Sequence, residues 1–203
     1  MTQPLIYPLF STPVYVNNVG DFARPDIKAL EYSASEYSFQ SSVDKNVLHR
    51  PEFMHVHDIV LREVNAYARG VLAVSKNIEF YVTNSWINIH RRGQYAGPHV
   101  HNNSLLSGVL YLQVNEKSGD LVFQRDVHSL VPFPPALDLD MDSFNLYNCK
   151  SWAHKPKTND ICLFPSVLMH AADPNQSDEE RWSLAFNVFV RGDFGPLHQL
   201  SIK

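Results

Sequence analysis

Apolar and polar residues change period near Asn77, and the change divides the chain into two kinds of element. Before it, the spacing is mostly helical. Pro25 suits a first helical position, because its ring fixes φ and the N–H it lacks is not needed there. Beyond it Ile27, Leu30, Ala34 and Tyr37 recur every three or four residues, which predicts a helix with one buried stripe. Ser41 to His49 reads as a polar loop. Between Pro51 and Ser75, Val60, Val64, Tyr67 and Val71 share one face while Arg62, Glu63 and Arg69 point away, and this predicts a second helix. Ahead of both, Leu5 to Val16 is apolar but punctuated by Pro4, Pro8 and Pro13, which cannot donate to a ladder, so it is expected as an edge strand.

After Asn77 the pattern becomes one of short strands separated by Gly, Pro, Asn and Asp turns. The predicted strands are Glu79 to Asn88, Leu105 to Val114, Asp120 to Gln124, Cys149 to Ala153, Asp160 to Phe164 and Trp182 to Arg191. Strands in that number after helices predict an α+β, mainly β chain: a jelly roll or sandwich with N-terminal helices packed on one sheet. At 203 residues and 44% hydrophobic content, one domain over 1–203 is expected, with 1–78 as N-terminal strand and supporting helices and 79–192 as the core. Prolines and acids from Val131 to Asp142 mark a long loop, of the kind that often serves as a lid or binding loop.

Charge and cysteine content narrow the partners. A net charge of -4 argues against nucleic acid, whose phosphates need a basic surface. The two cysteines, Cys149 and Cys162, fall in no C-x-x-C spacing, and Met1-Thr2-Gln3-Pro4-Leu5 has neither the basic start nor the apolar core of a signal peptide. No apolar run approaches the roughly 20 residues that cross a bilayer. A soluble cytoplasmic protein without membrane or nucleic-acid partners is expected.

Histidines carry the candidate chemistry. In Gly97-Pro98-His99-Val100-His101-Asn102, an extended backbone would turn His99 and His101 to the same side, where both could grip one ion. His170 closes the apolar segment Phe164-Pro165-Ser166-Val167-Leu168-Met169-His170, and Arg181 follows eleven residues later. From there Trp182, Leu184, Phe186 and Val188 alternate with Arg181, Ser183, Ala185 and Asn187, giving a strand with one bulky apolar face and one polar face. The plainer reading of Arg181 is an edge arginine paired with Glu179 or Glu180. His55 and His57, two apart on a helix, point in different directions and read as surface groups.

The ordered set Ser85-Trp86-Ile87-Asn88-Ile89, Gly93, His99-Val100-His101, Leu106 to Leu112, Gly119 to Phe123, Phe164-Pro165-Ser166 and Arg181 to Asn187 resembles a family of small Fe(II)/2-oxoglutarate-dependent oxygenases. The match runs from about Asn84 to Val190, with a weaker echo in Leu9 to Tyr15. It implies a double-stranded β-helix, Fe(II) as metal, 2-oxoglutarate as co-substrate, dioxygen as oxidant and a small-molecule or peptide substrate. It also implies His99, His101 and His170 as ligands, Arg181 and Ser183 on the distal carboxylate of 2-oxoglutarate, and Tyr111 and Asn88 as further co-substrate contacts. Asn88 and Asn187 are also candidates to partner the other ring nitrogen of a ligand, and His154 and Trp152 are candidates to line a substrate pocket. The wider superfamily has Asp or Glu where this chain has His101. The third ligand is therefore expected to be His101, with Asp120 and Asp126 as alternatives. Two other functions compete: a three-histidine cupin-type dioxygenase that uses no 2-oxoglutarate, and a non-catalytic jelly-roll binding module.

Overall fold

The computed structural model describes residues 4–36, 38–125, 139–195 and 199–203. Its elements in chain order are β1 (Tyr15–Asn18), β2 (Tyr32–Ala34), β3 (Gln40–Ser42), α1 (Met54–Ala66), β4 (Glu79–His90), β5 (Ala96–His99), β6 (Leu106–Gln113), β7 (Leu121–Gln124), β8 (Ser151–His154), β9 (Asp160–Pro165), β10 (His170–Ala172), β11 (Arg181–Phe194) and β12 (Leu200–Ile202). They form two antiparallel sheets. The major sheet runs β1-β9-β6-β11-β4-β3-β2 with β12 paired to β11, and the minor sheet runs β5-β10-β7-β8. This is a mainly β jelly roll, as the strand pattern predicts.

Burial explains the layering. Val56, Val60 and Val64 of α1 and the following Tyr67 join Ile87, Ile89, Leu110, Leu184, Phe186 and Val188 in one apolar core, so the helix covers the outer face of the major sheet. Tyr67 opens a π-helical turn, Tyr67–Val71, and its hydroxyl donates to the Pro13 carbonyl (2.7 Å). A smaller cluster of Leu121, Phe123, Cys162 and Phe164 fills the space between the two sheets. Gly108 lets β6 pass the Phe186 ring: a Cβ there would sit 2.4 Å from Cζ.

The N-terminal part departs from the pattern. The helix expected from Pro25 is a single 3₁₀ turn, Ile27–Ala29, after which β2 turns into the sheet by pairing β3. Sheet pairing overrides the helical spacing there, so α1 with its π-helical extension is the long helix among the described residues and not the second of two. Ser41 to His49 is likewise not a loop but holds β3 and a 3₁₀ turn whose Val47 and Leu48 are buried. Of Leu5 to Val16 only the last two residues are in a strand, at the sheet edge against β9, and Leu5, Ile6, Tyr7, Leu9 and Phe10 are exposed. Residues 131–138 of the predicted long loop lie outside the described residues, as does Asp126.

Candidate metal centre

His99 ends β5 and is the register partner of His170, the first residue of β10. Cross-strand partners share a face, so the two imidazoles meet. His101 lies beyond the end of β5, not on it, and its backbone N–H donates to the Ser166 carbonyl (2.9 Å). The i, i+2 spacing nonetheless brings it to the same place. Ring centroids are 4.3 Å apart for His99 and His170, 5.1 Å for His101 and His170, and 5.3 Å for His99 and His101. One ring nitrogen from each lies within 4.8 Å of the others.

Each ring is held by its other side. Nδ1 of His99 donates to the Gly97 carbonyl (2.7 Å), that of His170 to the Leu168 carbonyl (2.8 Å), and that of His101 to Asn187 Oδ1 (2.6 Å). A proton fixed on Nδ1 leaves the Nε2 lone pair of each ring for a metal, the arrangement by which supporting groups orient imidazole ligands. Burial holds His170 down to about 4, with the other two histidines adding to it, and burial also lowers His101. Burial thus favours the neutral form of His101 and His170. Among the described residues no carboxylate joins the group; Asp120 lies just before β7, its carbonyl taken by the Asp173 N–H (2.9 Å). Trp86 stacks on His101 with centroids 5.8 Å apart.

The polar face of β11 supplies the second half of the site. Trp182 and Leu184 are in the helix-side core, so Arg181 and Ser183 face inward. Ser183 stands opposite Asn88 on β4 and Tyr111 on β6, and Arg181 opposite His90, so Arg181, Ser183, Tyr111 and Asn88 share one inner surface. Arg181 is 2% exposed; its Nη1 donates to the carbonyls of Ser118 (2.8 Å) and Asp173 (3.2 Å), while Nη2 is buried with no partner. Gly119, at φ +82°, makes that anchorage: a Cβ would lie 2.5 Å from the Asp173 carbonyl oxygen. Glu180 pairs with Arg91 and Trp182 Nε1, and Glu179 with Asn115, so neither is the partner of Arg181. Asn88 Oδ1 and both ring nitrogens of His90 are also buried and unpartnered.

His90 was not singled out in the sequence. Its position two residues after Asn88 on the same strand places it on the inner face, and that alternation was the available clue. It stacks on Phe39 at 4.2 Å, and burial, with Arg181 adding, holds it near 3. Trp152 is the register partner of Phe123 and half exposed at the sheet edge, while His154 lies 3.7 Å from Asp160. His55 is exposed, and neither it nor His57 belongs to the three-histidine group.

These residues suit a particular pair of guests. Three imidazole nitrogens on one side match a divalent metal that keeps its other positions open. A buried guanidinium with unspent N–H groups beside Ser183, Tyr111 and Asn88 matches a carboxylate. Residues 84–187 match the sequence model of the family described as "Putative 2OG-Fe(II) oxygenase". The chain belongs to this family. As a 2OG-Fe(II) oxygenase it takes Fe(II) and 2-oxoglutarate as cofactors.

Solved structures agree on the fold. HygX from Streptomyces hygroscopicus, solved with nickel and 2-oxoglutarate, superposes with a TM-score of 0.60 at 13% identity, over 87% of this chain and 82% of that one. SnoN, a non-heme alpha-ketoglutarate-dependent epimerase from nogalamycin biosynthesis, gives 0.55 at 14% identity over 81% and 68%. An oxidoreductase of the 2OG-Fe(II) oxygenase family from Burkholderia pseudomallei gives 0.55 at 13% over 79% and 72%. No curated protein matches the chain. Among the described residues no helix is long and apolar enough to cross a membrane.

Proposed function

We propose that this oxygenase hydroxylates a small-molecule or peptide substrate with release of succinate and carbon dioxide, at an iron held by His99, His101 and His170. The observation that carries the reading is the convergence of the three rings, one nitrogen of each within 4.8 Å of the others, with each Nδ1 proton spent on an acceptor and each Nε2 lone pair left free. Bound Fe(II) with 2-oxoglutarate supplies the power to activate dioxygen. The protein's part is orientation. His99 is fixed by a backbone carbonyl of its own strand, His170 by one in the turn before β10, and His101 by Asn187. Arg181 Nη2, already desolvated, holds the distal carboxylate together with Ser183 and Tyr111, and Asn88 lies beside them. Burial pushes the Tyr111 hydroxyl above its ordinary range, so it remains protonated and can donate.

The same reading treats 1–203 as one domain, supported by β1, β2 and β3 of the first 78 residues being built into the sheet of the core. It places the protein in the cytoplasm, supported by two free cysteines, Cys149 and Cys162. A three-histidine dioxygenase that uses no 2-oxoglutarate would leave the Arg181 guanidinium buried without an anion, which argues against that alternative.

The test is an anaerobic titration with Fe(II) followed by 2-oxoglutarate. One Fe(II) per chain and a new charge-transfer absorption on adding 2-oxoglutarate are expected, followed by succinate formation in air with a metabolite or peptide library. His170→Ala should abolish all three. Iron binding with no spectral response to 2-oxoglutarate would sink the co-substrate reading, and absence of iron binding would leave only a binding module.

A further inference from the structure

Among the described residues, Asn187 is the one hydrogen-bonding partner of the three ring Nδ1 atoms that comes from a side chain and from the other sheet. Its Oδ1 takes the His101 Nδ1 proton at 2.6 Å and also accepts from Ser107 Oγ at 2.8 Å. Behind it runs a buried string: the Ser107 and Ser166 hydroxyls are 2.8 Å apart, Ser166 Oγ donates to Ser104 Oγ (2.9 Å), and Ser104 Oγ donates to the carbonyls of Leu106 (2.9 Å) and Val188 (3.1 Å). Ser107, Ser166 and Asn187 are at most 7% exposed.

The direction of these bonds matters. An amide presents an acceptor at one end and a donor at the other. With Oδ1 toward His101, the imidazole proton stays on Nδ1 and Nε2 keeps its lone pair. With the amide turned half over, Nδ2 would face the ring, the proton would move to Nε2, and the coordinating position would be lost. Ser107, by donating to Asn187, holds the oxygen toward the ring.

We propose that Asn187, held by Ser107, is the positioning residue that lets histidine stand third in this ligand set: it selects the metal-binding tautomer of His101 while adding no charge. This rests on the three-histidine reading above. A carboxylate ligand needs no tautomer chosen for it; an imidazole does, and His99 and His170 have theirs chosen by backbone that no side-chain substitution removes. His101 alone depends on a side chain.

The experiment is Co(II) titration of the metal-free full chain, read by visible absorption, with thermal melts of each metal-free variant beside it. Asn187→Leu should weaken Co(II) by roughly 10–100-fold, the usual consequence of removing a ligand's supporting partner. Asn187→Asp, which keeps an acceptor and has no donor to turn, should bind Co(II) at least as tightly as the unmodified protein. Ser107→Ala, which frees the amide to turn, should lose affinity but less than Asn187→Leu. Equal losses in Asn187→Leu and Asn187→Asp would overturn the acceptor role and leave a packing role. His99→Ala and His170→Ala separate the two levels. If both abolish Co(II) binding while Asn187→Leu binds normally, the inference about Asn187 falls and the ligand set stands. If neither affects binding, the ligand set itself falls.

Discussion

Along β11, Trp182, Leu184, Phe186 and Val188 turn to the helix side of the major sheet and Arg181, Ser183 and Asn187 to the other, and all seven are buried. The two faces differ in what their atoms find there. On the helix side the four side chains join one apolar cluster, and their burial stabilises the fold by itself. On the inner side Asn187 Oδ1 has two partners, but Arg181 Nη2 and, across the strand pairs, Asn88 Oδ1 and the His90 nitrogens are dry and unpartnered. Each such group costs about 1–3 kcal/mol. The comparison teaches a division of labour within one strand: one face holds the sheet in shape, and the other keeps polar groups in readiness for a ligand at the expense of stability.

Truncation on the helix side gives the largest effect. Phe186→Ala empties a site with no exposure and should destabilise by about 3–5 kcal/mol in urea unfolding, while Co(II) affinity of the protein that remains folded stays as it was. Truncation on the inner side should reverse the pattern. Arg181→Ala removes charge-assisted bonds worth about 1.5–3 kcal/mol, so 2-oxoglutarate affinity by calorimetry falls at least roughly tenfold with Co(II) affinity unchanged. Equal 2-oxoglutarate affinity in this variant would remove Arg181 from the site and blur the division between the faces.

The smallest effect concerns pH. His90 titrates near 3 in the folded protein because burial, helped by Arg181, opposes its charge, whereas an unfolded chain holds that proton below about 6.5. Its folded pKa is depressed, so its contribution is fully present above about pH 6.5 and is lost as pH falls toward 3. His90→Gln should make the slope of unfolding free energy between pH 4 and 6 shallower, by about 1 kcal/mol per pH unit. An unchanged slope would mean that His90 is not held neutral on the inner face.

Much of this was legible because β periodicity survives in a sheet covered on one side by a helix. The alternation around Phe186 marks both faces of β11, and the predicted strands from Glu79 onward differ from those found by a few residues at their ends. The N-terminal stretch misled because Ile27, Leu30 and Ala34 have helical spacing, yet Tyr32 to Ala34 is recruited to pair Gln40 to Ser42. Spacing reports local preference and not the partner that arrives later. His99, His101 and His170 could be picked out of ten histidines because of their order with Arg181 and the strands around them. Ser104, Ser107 and Ser166 could not, since serine occurs everywhere and only assembly of β6, the end of β9 and the turn before β6 gives these three a role.

The bond between His101 and Asn187 spans 86 residues of sequence, and it joins the strand-end of one sheet to the middle of the other. During synthesis His101 therefore leaves the ribosome well before its support exists. At roughly 5–20 residues per second, about 4–17 seconds separate the appearance of His101 from that of Asn187. Until β11 has threaded between β4 and β6, the tautomer of His101 is unguided, and metal capture is tied to completion of the central sheet.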